Sequence, residues 1–156
     1  VQNTRAFVAS GKSIYASDWA YDLVEVAWPD FIDFYGADTD RDGSQVGQEG
    51  ENLPGTVVDP ALRNALSTQN VAINFNLPAW AIMSGASSNS RVYIRGTVER
   101  CADLFCSSSE TLSNVPLTVG FHPAPTAGKV IYTSFHQERQ TTADMDMILQ
   151  MLVFEL

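Results

Sequence analysis

Residues 38–49 read D-T-D-R-D-G-S-Q-V-G-Q-E, which fits the pattern D-x-[DN]-x-[DN]-G-x5-E over its whole length. Asp38, Asp40 and Asp42 alternate, so a tight turn aims three carboxylates at one centre. Gly43 permits the bend, Ser44 offers its backbone carbonyl, Val46 acts only through a water, and Glu49 binds bidentately. Hard oxygen donors with surplus negative charge suit Ca²⁺ and disfavour zinc. Pro29 and Gly36 break the segment upstream and ENLPG follows, so no helix frames the loop. The pattern predicts a lone structural calcium loop rather than a sensor hand. The same residues also read as an acidic, solvated surface loop.

A second constellation is spread along the chain. His136 and Glu138 follow a continuous apolar run, and residues two apart in an extended trace point to one side. A carboxylate beside an imidazole orients it as a general base. Asp18 stands at the tip of the first expected strand, and a parallel sheet at that point brings it close to both. An Asp18–His136–Glu138 cluster suits metal-assisted hydrolysis. The favoured reading of the same residues is a remnant hydrogen-bond network capping the strand end and the final helix. A serine nucleophile at Ser17 or Ser134 lacks the G-x-S-x-G surroundings of such an elbow. His122, in FHPAP, reads as a turn residue.

Cys101 and Cys106 are neither a C-x-x-C redox pair nor accompanied by histidines for zinc. They read as a local disulfide closing a small loop, which implies an oxidising compartment, or else as two reduced thiols.

These residues need elements to hold them. VQNTRAFVAS carries Val1, Ala6, Phe7 and Val8 on a helical pattern ended by Gly11, and GKSIYAS reads as a short buried strand. Asp18 then caps a helix in which Trp19, Leu23, Val26 and Ala27 share a face, and Pro29 ends it. Asp59-Pro60 is a helix start. NVAINFNL, WAIMSG, RVYIRGTVE and PLTVGFH read as strands around residues 70–120. GKVIYTSF (128–135) is a strand buried on both faces. A final helix has Thr141 or Thr142 as its cap and Met145, Ile148, Leu149, Leu152 and Val153 on its apolar face. Trp19, Trp28, Tyr15, Tyr21, Phe31, Phe34 and Tyr35 make the first third aromatic-rich. They read as core or interface rather than as a sugar-binding platform.

The chain has 156 residues, 45% of them hydrophobic and 17% charged, a globular composition of one domain, 1–156. The formal net charge of −9 argues against nucleic acid as a partner. No apolar run reaches the ~20 residues of a membrane span. The chain opens without a signal-peptide pattern and inside a helix-like stretch, which predicts a mature or trimmed chain or one half of a larger unit.

GKSIYASDWAYDLVE resembles the strand–turn–helix at which class I glutamine amidotransferase-like domains carry their nucleophile. GKVIYTSFHQE resembles the last strand and F-H-x-E segment of that superfamily and of its trehalose-utilisation-type relatives. The ensemble also looks like modules of secreted bacterial proteins. The resemblance implies an α/β fold with a flavodoxin-like core, incomplete at its N-terminus, carrying an antiparallel β insertion at about 70–120. It also implies that His136 and Glu138 face the cleft at the strand ends. Where the family has cysteine in a Gly-rich elbow, this chain has Ser17-Asp18-Trp19, which removes the thiolate that glutaminase chemistry needs. The expected function is a non-enzymatic, calcium-stabilised module, secreted, periplasmic or at the cell surface, acting in assembly or binding through a protein partner or itself. The alternatives are a hydrolase-type enzyme using Asp18, His136 and Glu138, and a carbohydrate-binding module using exposed Trp and Tyr on a glycan.

Overall fold

The computed structural model describes residues 1–37, 43–77, 79–102, 107–137, 140 and 142–155. Among the described residues the fold is mixed α/β, with a curled eight-stranded sheet, a two-stranded sheet and four helices. Helix α1 (Gln2–Ala9) leads through Gly11 into β1 (Ile14–Ser17). A single 3₁₀ turn, Asp18–Ala20, joins β1 to α2 (Tyr21–Ala27). There follow β2 (Ile32–Phe34), β3 (Gln45–Gly47), β4 (Gly50–Val57), α3 (Pro60–Leu66), β5 (Asn70–Phe75), β6 (Trp80–Ala81) and β7 (Met83–Ala86). The long hairpin β8 (Ser90–Cys101) and β9 (Ser109–Phe121) precedes β10 (Val130–Thr133) and α4 (Ala143–Glu155).

The order across the large sheet begins β1-β10-β9-β8. Strand β8 then forks: Ile94–Gly96 pairs with Gly55–Val57 of β4, whereas Arg100 pairs with Gly47 of β3. β5 lies outside β4, β6 lies outside β3, and β2 and β7 form the small sheet. Only β1 and β10 run parallel, with Ile14 opposite Val130 and Ser17 opposite Thr133; every other pairing among the described residues is antiparallel. The antiparallel part is wider than the expected 70–120, since it already includes β2, β3 and β4. Of the parallel pairing that a flavodoxin-like core uses, this one pair is present. The stretch from 45 to 121 joins most of its strands by short loops, which suit antiparallel neighbours, whereas parallel neighbours need long crossovers.

Strand β10 is buried at every residue, as its unbroken apolar run requires. Ile131 faces a core under α3 and α4, with Leu62, Ile73, Phe75, Ile94, Leu117, Met145, Ile148 and Leu152. Val130 and Tyr132 face the other core, under α1, α2 and the small sheet, with Val8, Tyr21, Val24, Phe34, Val119 and Phe121. Burying one such aliphatic side chain contributes about 1.5–3 kcal/mol, so β10 anchors both layers.

Helix α2 departs from its sequence reading. It buries Tyr21, Val24 and Ala27, while Trp19, Leu23 and Val26 are 55%, 36% and 47% exposed. The segment is apolar on nearly every side, so its pattern left the phase open, and the 3₁₀ turn before Tyr21 sets it. Asp18 makes no side-chain cap on this helix, because its carboxylate is turned to Ala81 and His136. On α4, Met145, Ile148 and Leu152 are buried as expected, but Val153 is 50% exposed. Thr142 is the cap: its Oγ1 accepts from Met145 N–H at 3.3 Å. Among the described residues no helix is long and apolar enough to cross a membrane.

Asp59 is the expected cap of α3. Its Oδ1 accepts from Leu62 N–H at 2.8 Å, and Arg91 grips the same carboxylate at 2.7 and 2.9 Å. Burial pushes this carboxyl up, but the Arg91 and Leu62 hydrogen bonds and the Arg91 charge outweigh it and hold it below its ordinary value. A lowered carboxyl adds stability above its unfolded pKa, near 4, and that stability is lost as pH falls through the lower folded value. Asp59→Ala should cost about 1–3 kcal/mol in urea unfolding at pH 7, and the cost should shrink as pH falls below about 4.

Candidate functional site

The parallel pairing sends the carboxyl ends of β1 and β10 to one edge of the sheet, the edge at which α/β proteins collect ligands. Asp18 is the first residue past β1 and His136 lies three past β10. Asp18 Oδ2 stands 3.3 Å from His136 Nε2. The pair anticipated from the sequence is therefore in place, while Glu138 lies outside the described residues.

Asp18 adopts φ 45°, a left-handed conformation that costs a non-glycine residue about 1–2 kcal/mol. Three contacts hold it there. Its Oδ1 accepts from Ala81 N–H at 3.2 Å, its Oδ2 meets His136, and its own carbonyl accepts from Tyr132 Oη at 2.8 Å. The turn is thus fastened to β6, to the loop after β10 and to β10 itself. Burial raises the Asp18 carboxyl above its ordinary value, against the opposing pull of Ala81 N–H and His136. Burial, and then the charge of Asp18, push the Tyr132 phenol well above its own, which keeps that hydroxyl a donor.

The two partners differ in access. The Asp18 side chain is 2% exposed and that of His136 is 29% exposed. A buried carboxylate on Nε2 orients an imidazole that keeps part of its surface open to solvent. This is the arrangement of a base with its orienting group.

The loop bearing His136 is clamped by a residue that sequence reasoning missed. Gln140, 7% exposed, donates through Nε2 to the carbonyls of His136 (2.9 Å) and Asn74 (2.8 Å), and its Oε1 accepts from Asn74 N–H (2.9 Å). A lone glutamine in a polar stretch gives no sequence signal of this role. Ser134 is fully buried and Ser17 is half-buried, so neither is an exposed nucleophile at the elbow. His122 sits in a turn, with Nδ1 3.1 Å from the Ala127 carbonyl.

Asp38, Asp40 and Asp42 of the expected calcium loop lie outside the described residues. The stem of that loop is pinched: a Cβ on Gly36, at φ 103°, would stand 2.9 Å from the backbone of Gly43. Ser44 is 2% exposed, and its carbonyl already accepts from Val46 N–H (2.9 Å) and Ile82 N–H (3.0 Å). Both lone pairs are engaged, so this carbonyl does not fit the role of a metal ligand in this conformation. Glu49 is exposed and lines a cavity of about 740 Å³ with Glu51, Asn52, Asn74 and Asn76. Among the described residues no three His, Cys, Asp or Glu side chains are grouped to hold a metal ion. Cys101 ends β8, and Cys106 lies outside the described residues. Of the aromatic residues, Tyr21, Phe34 and Tyr132 pack together in the core, and Trp19 is exposed beside the elbow with its Nε1 donating to the Ala79 carbonyl.

A raised carboxyl pKa makes its contribution below the unfolded value, near 4, and loses it as pH rises through the folded value. The Asp18→Asn variant carries no such loss. Its melting temperature should therefore gain on that of the wild type as pH rises from 3 to 7; a constant difference would contradict the burial of an ionising Asp18.

The chain matches no model of a known protein family and no curated protein sequence.

Proposed function

We propose that the chain is a hydrolase-type module in which His136, oriented by Asp18, removes a proton from a water or hydroxyl. The observation that carries this reading is the 3.3 Å contact between a buried carboxylate and a half-exposed imidazole at the carboxyl ends of two parallel strands. The strained φ of Asp18 supports it, because backbone strain gathers where function over-determines geometry. A glutamine amidotransferase-like, flavodoxin-like core is part of the same proposal, and its support is the β1–turn–α2 unit beside β10. With Ser17-Asp18-Trp19 where that family has its cysteine elbow, the chemistry is proton transfer and not thiolate attack.

The test is hydrolysis of p-nitrophenyl acetate and p-nitrophenyl butyrate. The wild type should exceed buffer, and His136→Gln should lower the rate about 100-fold, the low end of the range for a positioned general base. Equal rates for the two proteins, both folded, would overturn the proposal.

The second reading is a non-enzymatic assembly or binding module of an extracellular, periplasmic or cell-surface protein, stabilised by Ca²⁺. It is favoured by the D-T-D-R-D sequence at 38–42 and by the exposed Trp19, Leu23 and Val26. At a hundredfold excess over its dissociation constant a bound ion adds about 2.7 kcal/mol. Calcium at 10 mM should then raise the melting temperature by several degrees, and Asp40→Ala should abolish the rise. No shift in the wild type removes calcium from this reading.

A further inference from the structure

Trp19 stands directly after Asp18 and is 55% exposed, whereas Trp28 and Trp80 are 8% and 1% exposed. Its ring is nonetheless held. Nε1–H donates to the Ala79 carbonyl at 3.1 Å, and Oδ1 of the preceding Asp18 accepts from Ala81 N–H at 3.2 Å. Ala79 and Ala81 are two residues apart, a span of at most about 7 Å. The indole nitrogen and the carboxylate are therefore anchored at neighbouring points of one segment. His136 meets the other oxygen of that carboxylate. An exposed indole thus flanks the Asp18–His136 pair.

An indole whose single donor is already bonded has its ring surface left to offer. Such a surface attracts flat apolar groups by stacking. The surroundings narrow the choice. Leu23, about one turn on, is 36% exposed and adds apolar surface. Asp22 stands in the first turn of α2, and the chain carries a net charge of −9, so an anionic group is opposed.

We infer that Trp19 is the platform that receives the uncharged aryl group of a substrate reacting at His136. The inference rests on the reading of Asp18 and His136 as a base with its orienting group, and it adds the substrate class, an aryl ester of a carboxylic acid. The aryl ring stacks on the indole. Water adds to the ester carbonyl carbon as its proton passes to His136, the carbon–oxygen bond to the aryl group breaks, and the phenol leaves with that proton.

The binding probe is acetanilide, the amide counterpart of phenyl acetate, added to ¹⁵N-labelled full chain. The Trp19 indole N–H signal, assigned by its loss in Trp19→Phe, should shift, while those of Trp28 and Trp80 stay in place. N-cyclohexylacetamide, apolar but not flat, should bind about fivefold more weakly. In hydrolysis of p-nitrophenyl acetate, Trp19→Ala should raise KM about tenfold and leave kcat within about twofold, and Trp19→Phe, which keeps a ring, should recover most of the loss. The KM for trifluoroethyl acetate, whose leaving group is activated but not aromatic, should be the same in wild type and Trp19→Ala. An indole signal unmoved at the solubility limit of acetanilide, or an unchanged KM for p-nitrophenyl acetate in Trp19→Ala, overturns the platform and leaves the acid–base pair standing. Equal hydrolysis by wild type and His136→Gln removes the acid–base reading, and the platform's role in it.

Discussion

The structure depends on one short parallel pairing. Four residues of β1 lie beside four of β10, in a sheet otherwise antiparallel among the described residues. Parallel pairing is the arrangement that sends both strands out of the sheet at the same end, so the residues following each can meet. Antiparallel pairing would put Asp18 and His136 at opposite ends of the strands. The pairing in turn rests on β10 being buried on both sides, between α1 and α2 on one face and α3 and α4 on the other.

Around that pairing a polar network runs through an apolar interior. Tyr132, Asp18, Ala81, His136, Gln140 and Asn74 are linked by hydrogen bonds or ion contacts of 2.8–3.3 Å. Burying a carboxylate is costly, and its raised pKa shows that desolvation outweighs the favourable contacts. An arrangement that costs stability and holds a residue at φ 45° is poorly explained as a device for stability alone. The same links fix the position of the imidazole: Asp18 sets its ring and Gln140 sets its backbone.

Strand β1 pairs with β10 on one side, and that pairing places Asp18 at the end of the sheet. Helix α2 and the turn before it are divided, with Tyr21, Val24 and Ala27 inward and Trp19, Leu23 and Val26 outward.

The sequence by itself determined the local elements. Asp59-Pro60 starts α3, alternation marks β5, the unbroken apolar run marks β10, and a threonine caps α4, because caps, prolines and periodicity act over a few residues. It also placed Asp18 and His136 at strand ends and tied their meeting to a parallel sheet. Tertiary structure decided the rest. The antiparallel spread of β2–β9, the fork of β8, the phase of α2 and the clamp by Gln140 all depend on partners far away in the chain. The Ser44 carbonyl shows the difference most plainly: its spacing suits a metal, but its lone pairs are taken by the N–H groups of Val46 and Ile82, and the bond from Ile82 comes from 38 residues downstream. Spacing states what a residue is able to do. Only the packed chain decides which of its bonds are already made.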